Sequence, residues 1–435
     1  MSYAARFTWG AATSAYQIEG GRIDGKGQSI WDTFSEQERM RDPGDTTCDH
    51  YHRWEEDVRL MAELGLTAYR MSVAWTRVLP EGRGIVNQKG LDFYRRLVDA
   101  LLEVGIEPWV TLFHWDLPQA LEDEGGWPAR STVDAFRGYV EVVASALGDR
   151  VKNWITINEP WVAATLGYIE GVFAPGRADW KDGLAAGHHL LLAHGQAVPV
   201  IRSRSPGSKV GVAIDCRPAS PASPSPADEA AWQHFDGFRN RWYFDPIFGR
   251  GYPEDMVQTY RQRGRWDDGL VHPGDLETIG APIDFLGVNY YTAISVSAGR
   301  EESEQTDIGP GPNPPDGYTE MGWEIVPSAL TEFLVRLNND YRPPAIVITE
   351  NGASYSDPYD DQRRIDYLAA HIAATEDAIE SGVPVEGYFV WSLLDNLEWT
   401  AGFSQRFGLI HVDFETLVRT PKASFDWYRR RIASG

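Results

Sequence analysis

Two stretches of this chain end an apolar run in a glutamate. One is Ala345-Ile346-Val347-Ile348-Thr349-Glu350-Asn351-Gly352, and the other is Trp154-Ile155-Thr156-Ile157-Asn158-Glu159-Pro160. A short continuous apolar run reads as a strand buried on both faces of a parallel sheet. A carboxylate at the tip of such a strand is expensive to bury and adds little to packing. One such Glu has a plain structural reading, an acid paired with an arginine. Two of the same design point to chemistry. Paired carboxylates across a pocket suit cleavage of a glycosidic bond: one protonates the leaving oxygen, and the other attacks the anomeric carbon or activates water.

The rest of the chain supplies the frame. Short apolar runs alternate with amphipathic stretches. Strand readings fall at 7–12, 68–75, 108–113, 153–157, 209–214, 283–291, 345–350 and 387–393. Helical spacing covers 55–64, 89–104, 132–147, 183–202, 229–240, 328–339, 361–381 and 423–432, with Gly65, Gly105 and Gly382 as stops. Residues 216–228 and 298–318 read as loops, the second a long surface excursion. Eight strand–helix alternations predict an α/β fold. The form expected is a single (β/α)8 TIM barrel over 1–435, with loop insertions on the C-terminal face of the strands. A doubly wound sheet is the alternative, but Gln17-Ile18-Glu19-Gly20-Gly21 after the first strand has no G-x-G-x-x-G.

In a barrel the strand tips converge. Strand one brings Gln17, strand two Arg70, strand three His114 and Trp115, strand four Asn158 and Glu159. Strand six brings Asn289 and Tyr291, strand seven Glu350, and the turn after strand eight Trp391, Glu398 and Trp399. Arg70 by charge and Tyr291 by its hydroxyl suit a role in keeping Glu350 ionised. Asn158 suits a sugar hydroxyl beside the reacting carbon.

Composition narrows the partners. The 435 residues carry a net charge of −23, which disfavours nucleic acid and anionic membranes. The N-terminal residues show no basic segment followed by an apolar core, and no run approaches the ~18 apolar residues of a membrane span. The two cysteines, Cys48 and Cys216, form no disulfide framework and fit a cytoplasmic protein. The 17 Trp and 19 Tyr suit stacking on the C–H faces of sugars.

The motifs at these tips resemble glycoside hydrolase family 1. Thr156-Ile157-Asn158-Glu159-Pro160 is similar to its T-x-N-E-P signature, and Ile348-Thr349-Glu350-Asn351-Gly352 to its nucleophile signature. The stretches from Ala12 to Gly20, Tyr69 to Ser72, Leu112 to Pro118, Asn289 to Tyr291 and Trp391 to Trp399 match as well. The resemblance spans about residues 6–430. It implies a retaining β-glycosidase on an eight-stranded barrel, without metal or cofactor. It implies Glu350 as nucleophile and Glu159 as acid/base. Gln17, His114, Asn158, Glu398 and Trp399 match sugar-binding positions. Trp391 matches the platform under the sugar, with Phe407 in the same shell and Trp323 at the aglycone end. Retention sets the expected carboxyl separation at about 5–5.5 Å rather than the roughly 6.5–9.5 Å of inverting enzymes.

Glu398 bears on the sugar. A carboxylate there accepts two hydroxyls, at positions four and six, and repels a 6-phosphate. The phospho-glycosidase branch has Ser in its place. A neutral β-glucoside or cello-oligosaccharide is therefore expected, with β-galactoside and β-fucoside side activity. Glu159, where the thioglucosidase branch has Gln, points to an O-glycosidase. Gln405 stands where Lys is common, and Phe403 and His411 where Tyr is. These departures are placed on the outer side of the sugar shell, where they bear on the aglycone. A sugar-binding pseudoenzyme is the competing class, and retention of both Glu159 and Glu350 speaks against it. The oligomeric state is left open.

Other clusters have bland readings. Asp49-His50-Tyr51-His52 reads as capping or packing of the first helix rather than a metal site. His188, His189 and His194 read as helix-packing histidines. Glu301-Glu302-Ser303-Glu304 and Asp228-Glu229 read as solvated faces.

Overall fold

A computed structural model describes residues 7–299 and 317–434. Eight strands form the frame: β1 (Thr8–Ala12), β2 (Ala68–Ser72), β3 (Glu107–Phe113), β4 (Asn153–Asn158), β5 (Lys209–Cys216), β6 (Phe285–Tyr290), β7 (Ile346–Asn351) and β8 (Val385–Trp391). Each pairs in parallel with the next, and β8 closes on β1 through Thr8–Gly387 to Ala12–Trp391. This is the expected (β/α)8 barrel. Its strands are buried along nearly their whole length, which is why they read as unbroken apolar runs rather than alternations.

The helices show the sequence periodicity for a physical reason. In Gln88–Glu103, Leu91, Tyr94, Leu97, Val98 and Leu101 form one buried face. Each such side chain contributes about 1.5–3 kcal/mol on burial. Gly65 ends His50–Leu64 in the left-handed region, φ 80°, where a Cβ would be strained. Boundaries move by a few residues. The first long helix starts at His50, and the helix read from 183 starts at Trp180, where the Asp179 side chain accepts from the Lys181 and Asp182 amides. The 216–228 loop holds a short strand, Ala219–Pro221, paired with Ile294–Val296. The helix after it starts at Pro226, capped by Ser225. The excursion at 298–318 lies mostly outside the described residues, as do Glu301 to Glu304 and Met1 to Arg6.

The barrel is filled at its base by aromatic rings. Trp109 packs against Phe285 and Phe389, with centroids 5.1 and 5.2 Å apart. Gly10 makes room, since a Cβ there would meet the Phe389 ring at 2.3 Å. Ala12, Ala68 and Ala213 belong to the same buried cluster and add little bulk to it. Among the described residues, no helix is long and apolar enough to cross a membrane.

The histidines pack as expected. His50 is buried against Asp57 at 2.7 Å. His188 contacts Tyr252 and Asp275, His189 the Trp127 carbonyl, and His194 Thr156. Asp49 precedes the helix, but its side chain caps no amide of it.

Candidate active site

Glu350 is the penultimate residue of β7 and is buried in the lumen. Arg70 Nη1 donates to its Oε1 at 2.6 Å, and the Tyr291 hydroxyl donates to its Oε2 at 2.6 Å. Arg70 also donates to Thr111 Oγ1, the Thr349 carbonyl and Asn158 Oδ1. One guanidinium therefore joins β2, β3, β4 and β7. Asn351 belongs to β7 and donates to the Tyr290 carbonyl. The glycine after it is required by close approach: a Cβ on Gly352 would lie 1.7 Å from the Trp391 carbonyl oxygen.

Glu159 follows the last residue of β4 and adopts φ 49°, ψ 68°, a left-handed conformation rare for a side chain of its size. Its amide donates to the Ala213 carbonyl at 2.8 Å, and Pro160 starts a helix immediately after it. The strand is thus turned sharply, with the carboxyl lining the cavity. Asn289 Nδ2 donates to Glu159 Oε1 at 2.6 Å and to Asn158 Oδ1 at 3.1 Å. Thr349 Oγ1 in turn donates to Asn289 Oδ1 at 2.6 Å. Trp115 and Trp399, also lining the cavity, share the positive φ, at 74° and 46°. Such backbone strain gathers at functional sites.

The two carboxyls are of one type in unlike surroundings. Burial pushes Glu159 well above the usual carboxylate range, Asp215 and Glu350 add repulsion, and Asn289's hydrogen bond pulls the other way. Burial also raises Glu350, but the Arg70 charge and the Tyr291 and Arg70 hydrogen bonds oppose it. A proton shared by the pair therefore resides on Glu159. His114 is held well below its ordinary value by burial and Arg70, so it is neutral; its Nε2 faces Asn158 Nδ2 at 3.1 Å.

The cavity has a volume of about 230 Å³. His114, Trp115, Tyr291, Trp323, Trp391, Glu398, Trp399 and Phe407 line it together with Glu159 and Glu350. Gln17, Arg70, Asn158 and Asn289 stand behind this wall, buried and bonded to it. Gln17 donates to Asn396 Oδ1 and to the Leu397 carbonyl, and reaches Glu398 at 3.5 Å. The Trp115 N–H is committed to the Asn158 carbonyl, so this residue offers a sugar only its ring.

Glu398 differs from its sequence reading. Burial, with the Glu350 charge adding and Gln17 opposing, pushes its carboxyl up to about 8. At neutral pH it is mostly protonated, one donor and one acceptor rather than a double acceptor. Among the described residues no cation pairs with it. A sugar phosphate there would meet a lack of counter-charge rather than a repelling one. The departures placed on the outer sugar shell also lie elsewhere. Phe403 stacks on Phe414 at 4.0 Å, Gln405 accepts from Ser354, and His411 joins Arg406 at Asp395. None of the three lines the cavity.

Sequence reasoning missed the outer wall. Trp161, Val162, Leu166, Val172 and Phe173 make it apolar, while Glu170, Asp215 and Arg239 bring charge. Asp215 had a signal: it lies at the tip of β5, one residue past the strand end read from sequence. Arg239 had none, since it sits in a wide helical turn, Gly237–Arg241, far from any strand.

The likeness to known proteins runs the length of this frame. The sequence model described as glycosyl hydrolase family 1 matches residues 1–434. Beta-glucosidase A of Thermotoga maritima is 45% identical over 433 residues, covering 97% of this chain and 96% of that protein. A bifunctional beta-D-glucosidase/beta-D-fucosidase of Bifidobacterium breve is 43% identical over 465 residues, covering 100% of this chain and 98% of its own. The family 1 β-glucosidase of Thermotoga maritima in complex with isofagomine lactam superposes with a TM-score of 0.92 at 44% identity, covering 98% of this chain and 97% of that one. Matches of this extent take in all eight strands and the turns that carry the site, and the chain belongs to glycosyl hydrolase family 1.

Proposed function

We propose that this enzyme is a retaining β-glucosidase, removing terminal non-reducing β-D-glucosyl residues from β-glucosides and short cello-oligosaccharides. β-Fucosides and β-galactosides are secondary substrates; the bifunctional relative from Bifidobacterium breve supports the first of these. The observation that carries the reading is the asymmetry of the two carboxyls. Glu350 is held by a guanidinium and a phenol, and Glu159 by a single amide. In the first step Glu350 attacks the anomeric carbon, the glycosidic C–O bond breaks, and the Glu159 proton passes to the leaving oxygen. In the second step Glu159 takes a proton from water, the oxygen attacks the anomeric carbon, and Glu350 leaves as carboxylate.

Gln17, His114, Asn158, Glu398 and Trp399 hold the sugar hydroxyls, Trp391 and Phe407 its face, and Trp323 the aglycone. The reaction uses no metal or cofactor, and the whole chain acts as one catalytic domain. Two buried free thiols, Cys48 and Cys216, support a reducing, cytoplasmic setting. The test is Glu350→Ala with a 2,4-dinitrophenyl β-glucoside. Turnover falls by more than about 10⁴-fold, and azide or formate restores part of it. With azide the product is the α-glucosyl azide. Undiminished turnover, or a β-configured azide product, overturns the assignment.

A further inference from the structure

Among the described residues, no cation hydrogen-bonds Glu159: Asn289 bonds its Oε1, and Arg70 is spent on Glu350 and Asn158. Arg239 is the cation whose charge bears on Glu159, and its placement is unusual. The guanidinium lies 3.3 Å over the Trp161 ring and is paired with Asp215, both side chains being almost wholly buried. Among the described residues, Arg239 Nε and Nη1 find no hydrogen-bond partner. Such a pair is costly to bury. Asp215 and Arg239 both line the same cavity as Glu159. The Ala213 carbonyl, two residues before Asp215, anchors the Glu159 amide.

A lone arginine beside Glu159 would draw off its proton. Paired with Asp215, Arg239 weighs less on Glu159 than the carboxylate does. Arg239 is clamped between the Trp161 face and Asp215. The charge that bears most on Glu159 is then the Asp215 carboxylate. We propose that Asp215 and Arg239 are positioning residues for the acid/base step: Arg239 holds the Asp215 carboxylate in place on the cavity wall, and that carboxylate keeps the proton on Glu159 until the leaving oxygen takes it. This rests on the reading of Glu159 as acid/base given above.

The surrounding groups are consistent with that division. Asp215 outweighs Glu350 among the charges raising Glu159, and Arg239 opposes them less strongly. Cys216 and Tyr291 also face Glu159, both raised by burial and so neutral. Glu170, pushed up to about 7 by burial, and Arg217 also line the cavity. His114 is neutral, and Glu398 is mostly protonated. When the glycosyl-enzyme forms, Glu350 loses its charge to the ester. Asp215 does not, so Glu159 stays basic enough to deprotonate water in the second step.

The experiment is the pH profile of kcat/KM for an unactivated alkyl β-glucoside and for 2,4-dinitrophenyl β-glucoside, whose leaving group needs no proton. Asp215→Asn should move the basic limb down by about one pH unit for the alkyl substrate. Above that limb it loses about tenfold in kcat/KM, while the dinitrophenyl substrate changes by less than about twofold. Asp215→Asn/Arg239→Met removes both charges and leaves no unpaired arginine, so it guards against a folding defect. It should move the limb the same way by a smaller amount. Arg239→Lys, which keeps the pair, should leave the limb within about 0.3 unit of the parent. A limb that stays put, or rises, in both folded Asp215 variants overturns the inference. Glu159→Gln in the same series separates the two readings. If it abolishes the basic limb while Asp215→Asn leaves the limb in place, only the charge pair is wrong; if it retains the limb, Glu159 is not the acid.

Discussion

The Tyr291 hydroxyl tests the proposed division of labour at one atom. It donates to Glu350 Oε2 at 2.6 Å in a buried site, while Arg70 holds Oε1. Tyr291→Phe removes that donor and little else. A hydrogen bond to a charged group is worth about 1.5–3 kcal/mol, which corresponds to about 1–2 pKa units. The donor favours the ionised form, so its loss raises Glu350 further. Activity needs Glu350 ionised; the acid limb of kcat/KM therefore moves up by about one unit or more, and the pH range of activity narrows from its acid side. The two chemical steps respond unequally. Glu350 gives up its charge on forming the glycosyl-enzyme and regains it on hydrolysis, so the missing donor is felt most in the second step. The glycosyl-enzyme accumulates, kcat falls by about tenfold or more, and KM falls with it. Pre-steady-state kinetics with a dinitrophenyl glucoside would read this as a burst, and intact-mass measurement would show the sugar adduct. A folded variant with no burst and an unmoved acid limb would refute the reasoning.

Three further perturbations follow. Glu398→Ala removes a group proposed to hold two hydroxyls. Loss of about 1–3 kcal/mol for two hydrogen bonds of a neutral carboxyl predicts a fall of about 5- to 150-fold in kcat/KM on glucosides, larger than on fucosides, which lack the 6-hydroxyl; equal losses on both would remove Glu398 from the sugar site. Trp323→Ala opens the outer wall beside Tyr291 and Phe407, and initial rates should show KM for cellobiose rising by about tenfold with kcat changed less. Asp395 tests stability. Its buried carboxylate accepts from Lys422 at 2.7 Å and from Arg406 and the Gly408 amide. Burial pushes it up, but the Lys422 charge, the His411 hydrogen bond and the Arg364 charge outweigh that and hold it far below the usual range. A depressed carboxylate stabilises the fold above its unfolded pKa of about 3.9 and loses that contribution as pH falls further. Asp395→Asn strands the Lys422 ammonium and should cost about 3–5 kcal/mol in urea unfolding at pH 7, with the gap to the parent closing below about pH 4.

What could be read from the sequence, and what could not, divides along a physical line. The tips carrying Glu159 and Glu350 stood out because each closes a short apolar run, a pattern written in consecutive residues. The groups that distinguish the two acids come from other strands. Arg70 reaches Glu350 across 280 positions of chain, and Asn289 reaches Glu159 across 130. Burial is equally non-local: Glu398 read as a carboxylate because its protonation depends on the walls around it. Phe403, Gln405 and His411 do not line the cavity, and the short segments that carry them are too brief for a periodicity that would say which way they face. Asp215 shows the cost of a boundary set one residue early, and Arg239 had no pattern to betray it.

The arginine at the centre explains why so much of the site is fixed by the frame. Four of the five N–H donors of Arg70 are committed, to Thr111, Thr349, Asn158 and Glu350. Those partners lie on β3, β4 and β7, so the guanidinium crosses the lumen and measures its width. Ala12, Ala68 and Ala213 add little bulk to the buried cluster that Trp109, Phe285 and Phe389 fill. Asn158, held by Arg70 through its oxygen, then presents its amide nitrogen to His114, and Asn289 ties the same oxygen to Glu159. The two catalytic candidates are thus joined through three side chains with no flexible link between them. A lysine at position 70 would keep the charge on Glu350 but not the planar fork. Asn158 would then lose a charged donor, and the sugar-facing and acid-bearing tips would loosen together although neither had been altered.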